Sequence, residues 1–406
     1  MVHMNIQFST YYTLILAVLV LLVGKFLVQR IRFLREFNIP EPVAGGLVAA
    51  VLSSLLHSVW GYSITFDSSL QTAFMLVFFA SIGLSANFAK LREGGMGLVV
   101  FLLVVIVFIL VQNGVGMALA SVLGIDPLIG LIAGSITLVG GHGTAGAWGH
   151  VLENEHGIQG AMTLGMACAT FGLVIGGLIG GPLAKWLIKR HQLQGPKKDG
   201  AASVDVATPN FESPEKLRLI TSDAAIETLA LFAASLAFAE FMTKVMAGAS
   251  FQLPTFVWAL GGGVLIRNVL DYVFHYKVFD RAIDVFGNAA LSIYLAIALL
   301  SLKLWELTGL AGPLFVILAV QTVVMCLYAA FITFRVMRSN YDASVLAAGH
   351  CGFGMGATAT AVANMQAITN QYGPSHKAFL IVPMVGAFFI DIVNAVAIQL
   401  FIKLFG

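Results

Sequence analysis

The segment from Gly97 to Ser121 carries no charged side chain, and comparable apolar runs recur along the whole sequence. They reach or exceed the ~18 residues that mark a membrane-spanning helix. Such runs leave little choice of fold, because hydrocarbon cannot satisfy exposed backbone amides and each run must close its hydrogen bonds within a helix. With 59% hydrophobic and 10% charged residues, the chain reads as an all-α polytopic membrane protein. The first run starts near Tyr11 and ends at Lys25 and Arg30, with neither a basic n-region nor a small-residue cleavage site, so it is read as a retained helix. Cys168, Cys326 and Cys351 are scattered in apolar segments without metal-ligand spacing and read as small buried hydrophobes. The net charge of +2 says little about partners, since the placement of Lys and Arg matters more in such a chain, and no nucleic-acid partner is expected.

Windows of ~20 apolar residues predict helices near 11–29, 43–60, 70–89, 97–121 and 160–187, then 221–247, 254–272, 284–304, 311–334 and 376–404. The stretch 189–219, which contains Pro196, Pro209 and Pro214, is too polar to build a core and reads as a flexible cytoplasmic linker. It separates an N-terminal five-helix repeat, 1–188, from a C-terminal five-helix repeat, 220–406. With the linker cytoplasmic, all but three of the 22 Lys and Arg fall on that side, the exceptions being Lys244, Lys303 and Lys403. The positive-inside rule then leaves both termini periplasmic.

Five crossings per half make the second half inverted relative to the first. A faint internal echo at an offset of about 214–216 residues agrees with duplication. Pro40-Glu41-Pro42-Val43 stands against Pro254-Thr255-Phe256-Val257, Asp126 against Asp342, and Thr144 against Thr358.

Two stretches are left over, about 127–150 and 343–369, and both are too glycine-rich for ordinary helices. They hold Gly140-Gly141-His142-Gly143-Thr144 and Gly352-Phe353-Gly354-Met355-Gly356-Ala357-Thr358. Each is expected to be a re-entrant glycine-rich loop of short helix, break and return, lying between the fourth and fifth helices of its half. Paired interruptions of this kind mark transporter binding sites, where freed backbone N–H groups meet anionic groups and freed carbonyls meet a cation. The alternative is small-residue helix packing. The expected substrate-binding positions are Ser135, Thr137, Gly140, Gly141, Gly143, Thr144, Gly354, Gly356, Thr358 and Asp391.

Asp391 sits near the middle of the last predicted helix with Asn394 one turn on. A carboxylate there costs about 2.5–3.5 kcal/mol on insertion scales and marks an ion or substrate path. It suits a substrate ammonium or Na+, the alternative being an interhelical brace. The positions that the echo aligns with these two are Gly177 and Gly180. Asn87, Asp391 and Asn394 are the candidate Na+ ligands, while Asn87 and Asn288 read equally as helix caps. Gln112, Asn113 and Gln321 read as interhelical hydrogen-bonding groups. Glu227 and Glu240 read as interfacial. His142 and His350 read as groups that hydrogen-bond within the broken segments, with proton relay as the alternative.

These residues together resemble the bacterial sodium/glutamate symporters over essentially the whole chain. The motifs that carry the resemblance are Ile39-Pro40-Glu41-Pro42-Val43-Ala44-Gly45-Gly46, Ala133-Gly134-Ser135-Ile136-Thr137-Leu138 with Gly140-Gly141-His142-Gly143-Thr144, Leu346 to Gly354, and Val382 to Asp391. One departure is Ala145-Gly146-Ala147, which swaps small residues. The resemblance implies Na+-driven uptake of L-glutamate across a bacterial inner membrane, by a homodimer of inverted halves in which a mobile core moves against a fixed scaffold like an elevator.

An intramembrane metalloprotease would need His-Glu-x-x-His, and an aspartyl one Gly-x-Gly-Asp, and neither is present. No enzyme activity is expected. A channel would set identical loops around a symmetry axis, whereas this chain pairs two different ones.

Overall fold

The computed structural model describes residues 4–37, 39–196, 219–248, 252–304 and 309–405. Most of the expected linker, 197–218, lies outside the described residues. The first half runs α1 (Thr10–Arg30), the short α2 (Arg32–Glu36), α3 (Glu41–Trp60), α4 (Ser69–Ser85) and α5 (Phe88–Val122). There follow α6 (Pro127–Leu131), continued by a π-turn over Ile132–Ile136, then α7 (Gly141–Glu155) and α8 (Ala161–Arg190). The second half repeats this order. Its helices are α9 (Ser222–Val245), α10 (Thr255–Tyr272), α11 (Asp280–Leu300), and α12 (Ala311–Tyr328), which passes through a π-turn at Ala329–Thr333 into α13 (Phe334–Val336). Then come α14 (Tyr341–Met355), α15 (Thr358–Tyr372), and α16 (His376–Met384), which passes through a π-turn at Val385–Phe389 into α17 (Ile390–Phe405).

Local chemistry sets the ends of these helices. The Asp126 side chain accepts from Leu128 N at 2.8 Å, and Asn340 Oδ1 from Ala343 N at 2.9 Å, so each capping side chain opens the first arm of a glycine-rich segment. Pro42 occupies the first turn of α3, where its missing N–H is no loss, and Gly61 closes the helix in the left-handed conformation. Among the described residues, seven helices are long and apolar enough to cross a membrane. The remaining expected crossings also form helices, at α4, α10 and α16–α17.

Two expectations need correction. The glycine-rich segments form substantial helix, with 15 residues each in α7 and α14. Propensity alone disfavours this by about 1 kcal/mol per glycine, but the missing side chains let backbones pack flush. A Cβ on Gly149 would press on Met162, and one on Gly172 or Gly352 would collide with the backbone of Met355 or Ala361. Nor is the chain purely helical. Met4–Phe8 pairs in parallel with Tyr62–Phe66, with Phe8 stacked on Phe66 at 5.7 Å, and both segments alternate apolar and polar residues as strands do.

Packing sorts the helices into two bodies that cut across the halves. In one, α4 lies against α10 and α11, α9 against α10, and α1 against α3. In the other, α8 lies against α7, α14 and α15, and α5 against α6, α12 and α17. The link from α4 to α5 joins the bodies. Just beyond it Gly95, with φ of 58° and ψ of −161°, breaks α5 near its start.

The root of that link is clamped by Arg267, only 4% exposed. Its Nε donates to Asp271 Oδ2 at 3.1 Å, and its Nη1 donates to the Leu84 carbonyl at 3.3 Å and to Asp280. Asn268 adds two bonds to the same corner, accepting from Phe88 N at 3.0 Å and donating to the Ala86 carbonyl at 2.9 Å.

Candidate functional site

Where the two bodies face each other lies a cavity of about 460 Å³. One wall comes from Pro40, Glu41 and Pro42 at the start of α3, Phe78 of α4, and Leu291, Ser292 and Leu295 of α11. The opposite wall contains the breaks of both glycine-rich segments, Val139–Gly143 and Gly356–Ala359, together with Gly386 and Asp391.

The breaks give this wall its chemistry. Gly141 sits at φ +63°, a left-handed conformation that side-chain-bearing residues adopt only with strain, and α7 begins there. Ala357 is extended and α15 begins at Thr358. Neither helix has a side-chain cap at its N-terminus. The first N–H groups of a helix have no intrahelical acceptor and carry the positive end of its dipole. Two uncapped helix starts, from different halves of the chain, therefore line one cavity. Such ends bind carboxylates or phosphates without further cationic help. Asp391, half-buried, places its carboxyl group in the same cavity.

Other expected site residues are structural partners of this wall. Ser135, Thr137 and Thr144 are buried. Thr137 donates its hydroxyl to the Ile132 carbonyl at 2.7 Å, bridging the π-turn, and Ser135 N donates to Asn113 Oδ1 at 2.9 Å. Asn394 is buried and donates to the Ser135 carbonyl at 3.0 Å, which ties α17 to the first break. Thr358 lines the cavity and donates to the Gly386 carbonyl at 2.8 Å, which ties the second break to the π-turn before Asp391. Gly354 lies one turn earlier in α14, and its carbonyl accepts from Gln112 at 3.2 Å.

The two histidines hold the segments in place. Thr170 donates to the Met166 carbonyl, which leaves its oxygen to accept from His142 Nε2 at 3.0 Å; the protonated nitrogen is inferred from this network. His350 Nδ1 meets Thr333 Oγ1 at 2.8 Å, and Phe101, Phe108, Tyr328 and Phe353 surround its ring at centroid distances of 5.1–5.9 Å.

Asn87 is not brought into the cavity. It donates to Asp271 Oδ2 at 2.6 Å in the Arg267 cluster. Asn288 is exposed in the interior of α11 and caps nothing. Sequence reasoning missed the facing wall of Glu41, Phe78, Leu291 and Ser292; its one signal was the Pro40-Glu41-Pro42 motif.

A sequence model of the sodium/glutamate symporter family matches residues 6–374. The chain belongs to that family. It is 53% identical over 397 residues to the sodium/glutamate symporter of Haemophilus influenzae, covering 98% of each chain. The same identity and coverage hold for the sodium/glutamate symporter of Escherichia coli K12. In this family member the motifs that carry the resemblance converge on one place, since the Pro40–Pro42 corner and both glycine breaks meet at the cavity.

Proposed function

We propose that this chain is a secondary active transporter that carries glutamate together with Na+ into a bacterial cell, and is not an enzyme. The observation that carries the reading is the pair of uncapped helix N-termini facing Asp391 in one cavity. Glutamate has two carboxylates and one ammonium. Two dipole ends and one carboxylate match that pattern in sign and in number. The names of the relatives at 53% identity supply the same substrate and ion.

Gly140, Gly141, Gly143, Gly356 and Thr358 then take the carboxylates through backbone N–H groups and a hydroxyl, with Asp391 as the ammonium partner or cation ligand. Ser135, Thr137, Thr144, Gly354 and Asn394 hold the two breaks in place behind them.

Each half contributes three helices to one body and a helix, a broken segment and a helix to the other. This repeated order supports an inverted five-helix repeat with re-entrant loops, and the division into two bodies supports an elevator motion about links such as the one at Gly95. Apolar outer faces, for example Leu47, Val51 and Leu55 on α3 and Ile15, Leu19 and Leu22 on α1, are exposed. They suit lipid of the inner membrane and the scaffold contact of a homodimer.

Proteoliposomes loaded without Na+ should accumulate labelled L-glutamate only under an inward Na+ gradient. Equal uptake with choline in place of Na+, or preference for citrate over glutamate, would overturn the reading. Saturable uptake separates a carrier from a pore, which would pass ohmic current instead.

A further inference from the structure

Behind the cavity wall runs a seam of uncharged polar side chains in which Gln112, Gln321 and Asn394 bond through nitrogen and leave their oxygens unpaired, while Asn113 does the reverse. Gln321 on α12 donates through Nε2 to the Gln112 carbonyl at 2.7 Å, and Gln112 on α5 donates through Nε2 to the Gly354 carbonyl at 3.2 Å. The next residue, Asn113, accepts from Ser135 N, and Asn394 on α17 donates through Nδ2 to the Ser135 carbonyl. This chain of contacts crosses α5, the first break, α12, α14 and α17. Gln112, Ser135 and Gln321 are 0% exposed and Asn394 is 1% exposed. Yet Gln112 Oε1, Gln321 Oε1, Asn394 Oδ1 and Ser135 Oγ have no hydrogen-bond partner.

A buried oxygen without a donor costs about 1–3 kcal/mol, and four of them in one seam call for an occupant. Water donating to these oxygens would in turn need donors for its own lone pairs. Unpaired in the seam are three amide oxygens, the Ser135 hydroxyl, which can itself donate, and the Asn113 amide nitrogen. A small hard cation satisfies several oxygens at once, and neutral carbonyl-type oxygens can replace its hydration shell.

We propose that this seam is the seat of the coupling Na+. Ser135 Oγ and Asn394 Oδ1 are its ligands at the first break, Gln112 Oε1 and Gln321 Oε1 are the adjoining oxygens, and Asp391 is left to the substrate ammonium. The inference rests on Na+/glutamate symport and locates the ion within it. It also gives coupling a physical route. Ser135 belongs to the first broken segment and Gly354, the acceptor of Gln112, to the second. An ion in the seam therefore orders both helix starts that hold the substrate carboxylates, and each ligand raises the affinity of the other.

The test uses purified full-length protein in detergent without glutamate. Hydrogen exchange at residues 132–141 should slow in NaCl relative to choline chloride. Ser135→Ala and Asn394→Leu should abolish that difference and, in proteoliposomes, raise the Na+ concentration for half-maximal uptake by about tenfold, the loss of one ligand. Asn394→Asp, which keeps an oxygen, should restore the Na+ response. Asp391→Asn should lose glutamate binding and keep the Na+-specific protection, so failure of the seam and failure of the Asp391 assignment give different results. Identical exchange of the wild-type protein in both salts would overturn the proposal even if every variant failed to fold, and would leave water as the occupant. Protection lost in Asp391→Asn but kept in Ser135→Ala would move the ion to the cavity.

Discussion

Gly114 and Gly116 are separated by one residue on α5, yet alanine at these two positions should act with opposite sign. At Gly114 an added Cβ meets nothing within 4 Å. Removing a helical glycine there should stabilise the protein by about 0.5–1 kcal/mol. At Gly116 the same atom would collide with the Gly130 carbonyl of α6 and lie 3.0 Å from Gln321 Nε2, while a Cβ on Gly130 would in turn strike the Gly116 carbonyl. Backbone cannot step aside as a side chain can. Overpacking costs about 1–3 kcal/mol, and loss of the Gln321 bond to the Gln112 carbonyl adds about 1. The gain in helix propensity returns about 1, leaving a net loss of about 1–3 kcal/mol. Thermal melting in detergent should therefore drop by a few degrees for Gly116→Ala and rise by about a degree for Gly114→Ala, at somewhat under the ~2–4 °C per kcal/mol typical of 150–250 residues. Because α6 carries Ser135 onto Asn113, uptake by Gly116→Ala should also fall. If both variants melt on the same side of wild type, the flush α5–α6 contact is wrong.

Asp391→Asn should leave a folded protein that no longer takes up glutamate. Wild-type uptake by this variant would remove Asp391 from the site, and a lowered melting point with unchanged Na+ dependence would make it a brace. Arg267→Met should destabilise by about 2–4 kcal/mol, somewhat less than the 3–5 typical of a broken buried pair because Asp271 and Asp280 are partly exposed; a melting curve indistinguishable from wild type would refute the clamp. Cysteines at Ser9 and Ser203, in a background without the three native ones, should label from opposite faces of the membrane. Labelling of both from one face would refute five crossings per half.

How much was legible in the sequence depended on how far each contact reaches along the chain. The long apolar runs, the two glycine segments and the Asp391–Asn394 pair are local patterns, and their helices and breaks fall where those patterns lie. Asn87 looked like a free amide ligand because Asp271, its partner, lies in the other half of the chain, and no local signal announces that contact. The Glu41, Phe78 and Leu291 wall was hidden for the same reason, since it forms only when α3, α4 and α11 meet opposite the breaks. Gln112, Asn113 and Gln321 were readable as hydrogen-bonding groups. Their partners were not, so the unpaired oxygens that make the seam notable emerge only from the fold.

The unequal halves also acquire a physical cause. The internal echo aligns Gly177 and Gly180 of α8 with Asp391 and Asn394 of α17. A Cβ on Gly180 would overlap the Asn364 amide and crowd the Ala348 carbonyl, and Asn364 donates to the Gly176 carbonyl at 2.8 Å. Helix α8 is thus the floor on which α14 and α15 dock, and close approach at Gly180 leaves no room for a side chain there, whereas a Cβ on Gly177 would meet only ordinary contacts. Helix α17 makes fewer backbone-to-backbone contacts with the first segment and reaches it through a side chain, Asn394 to Ser135. That spacing gives a carboxylate one turn earlier access to the cavity. Glycine in place of Asp391 would leave the cavity without its carboxyl group, and a polar side chain at Gly180 would push the second segment off α8. Close packing on α8 therefore gives a structural reason for glycine at 180, opposite Asn394 in the internal echo.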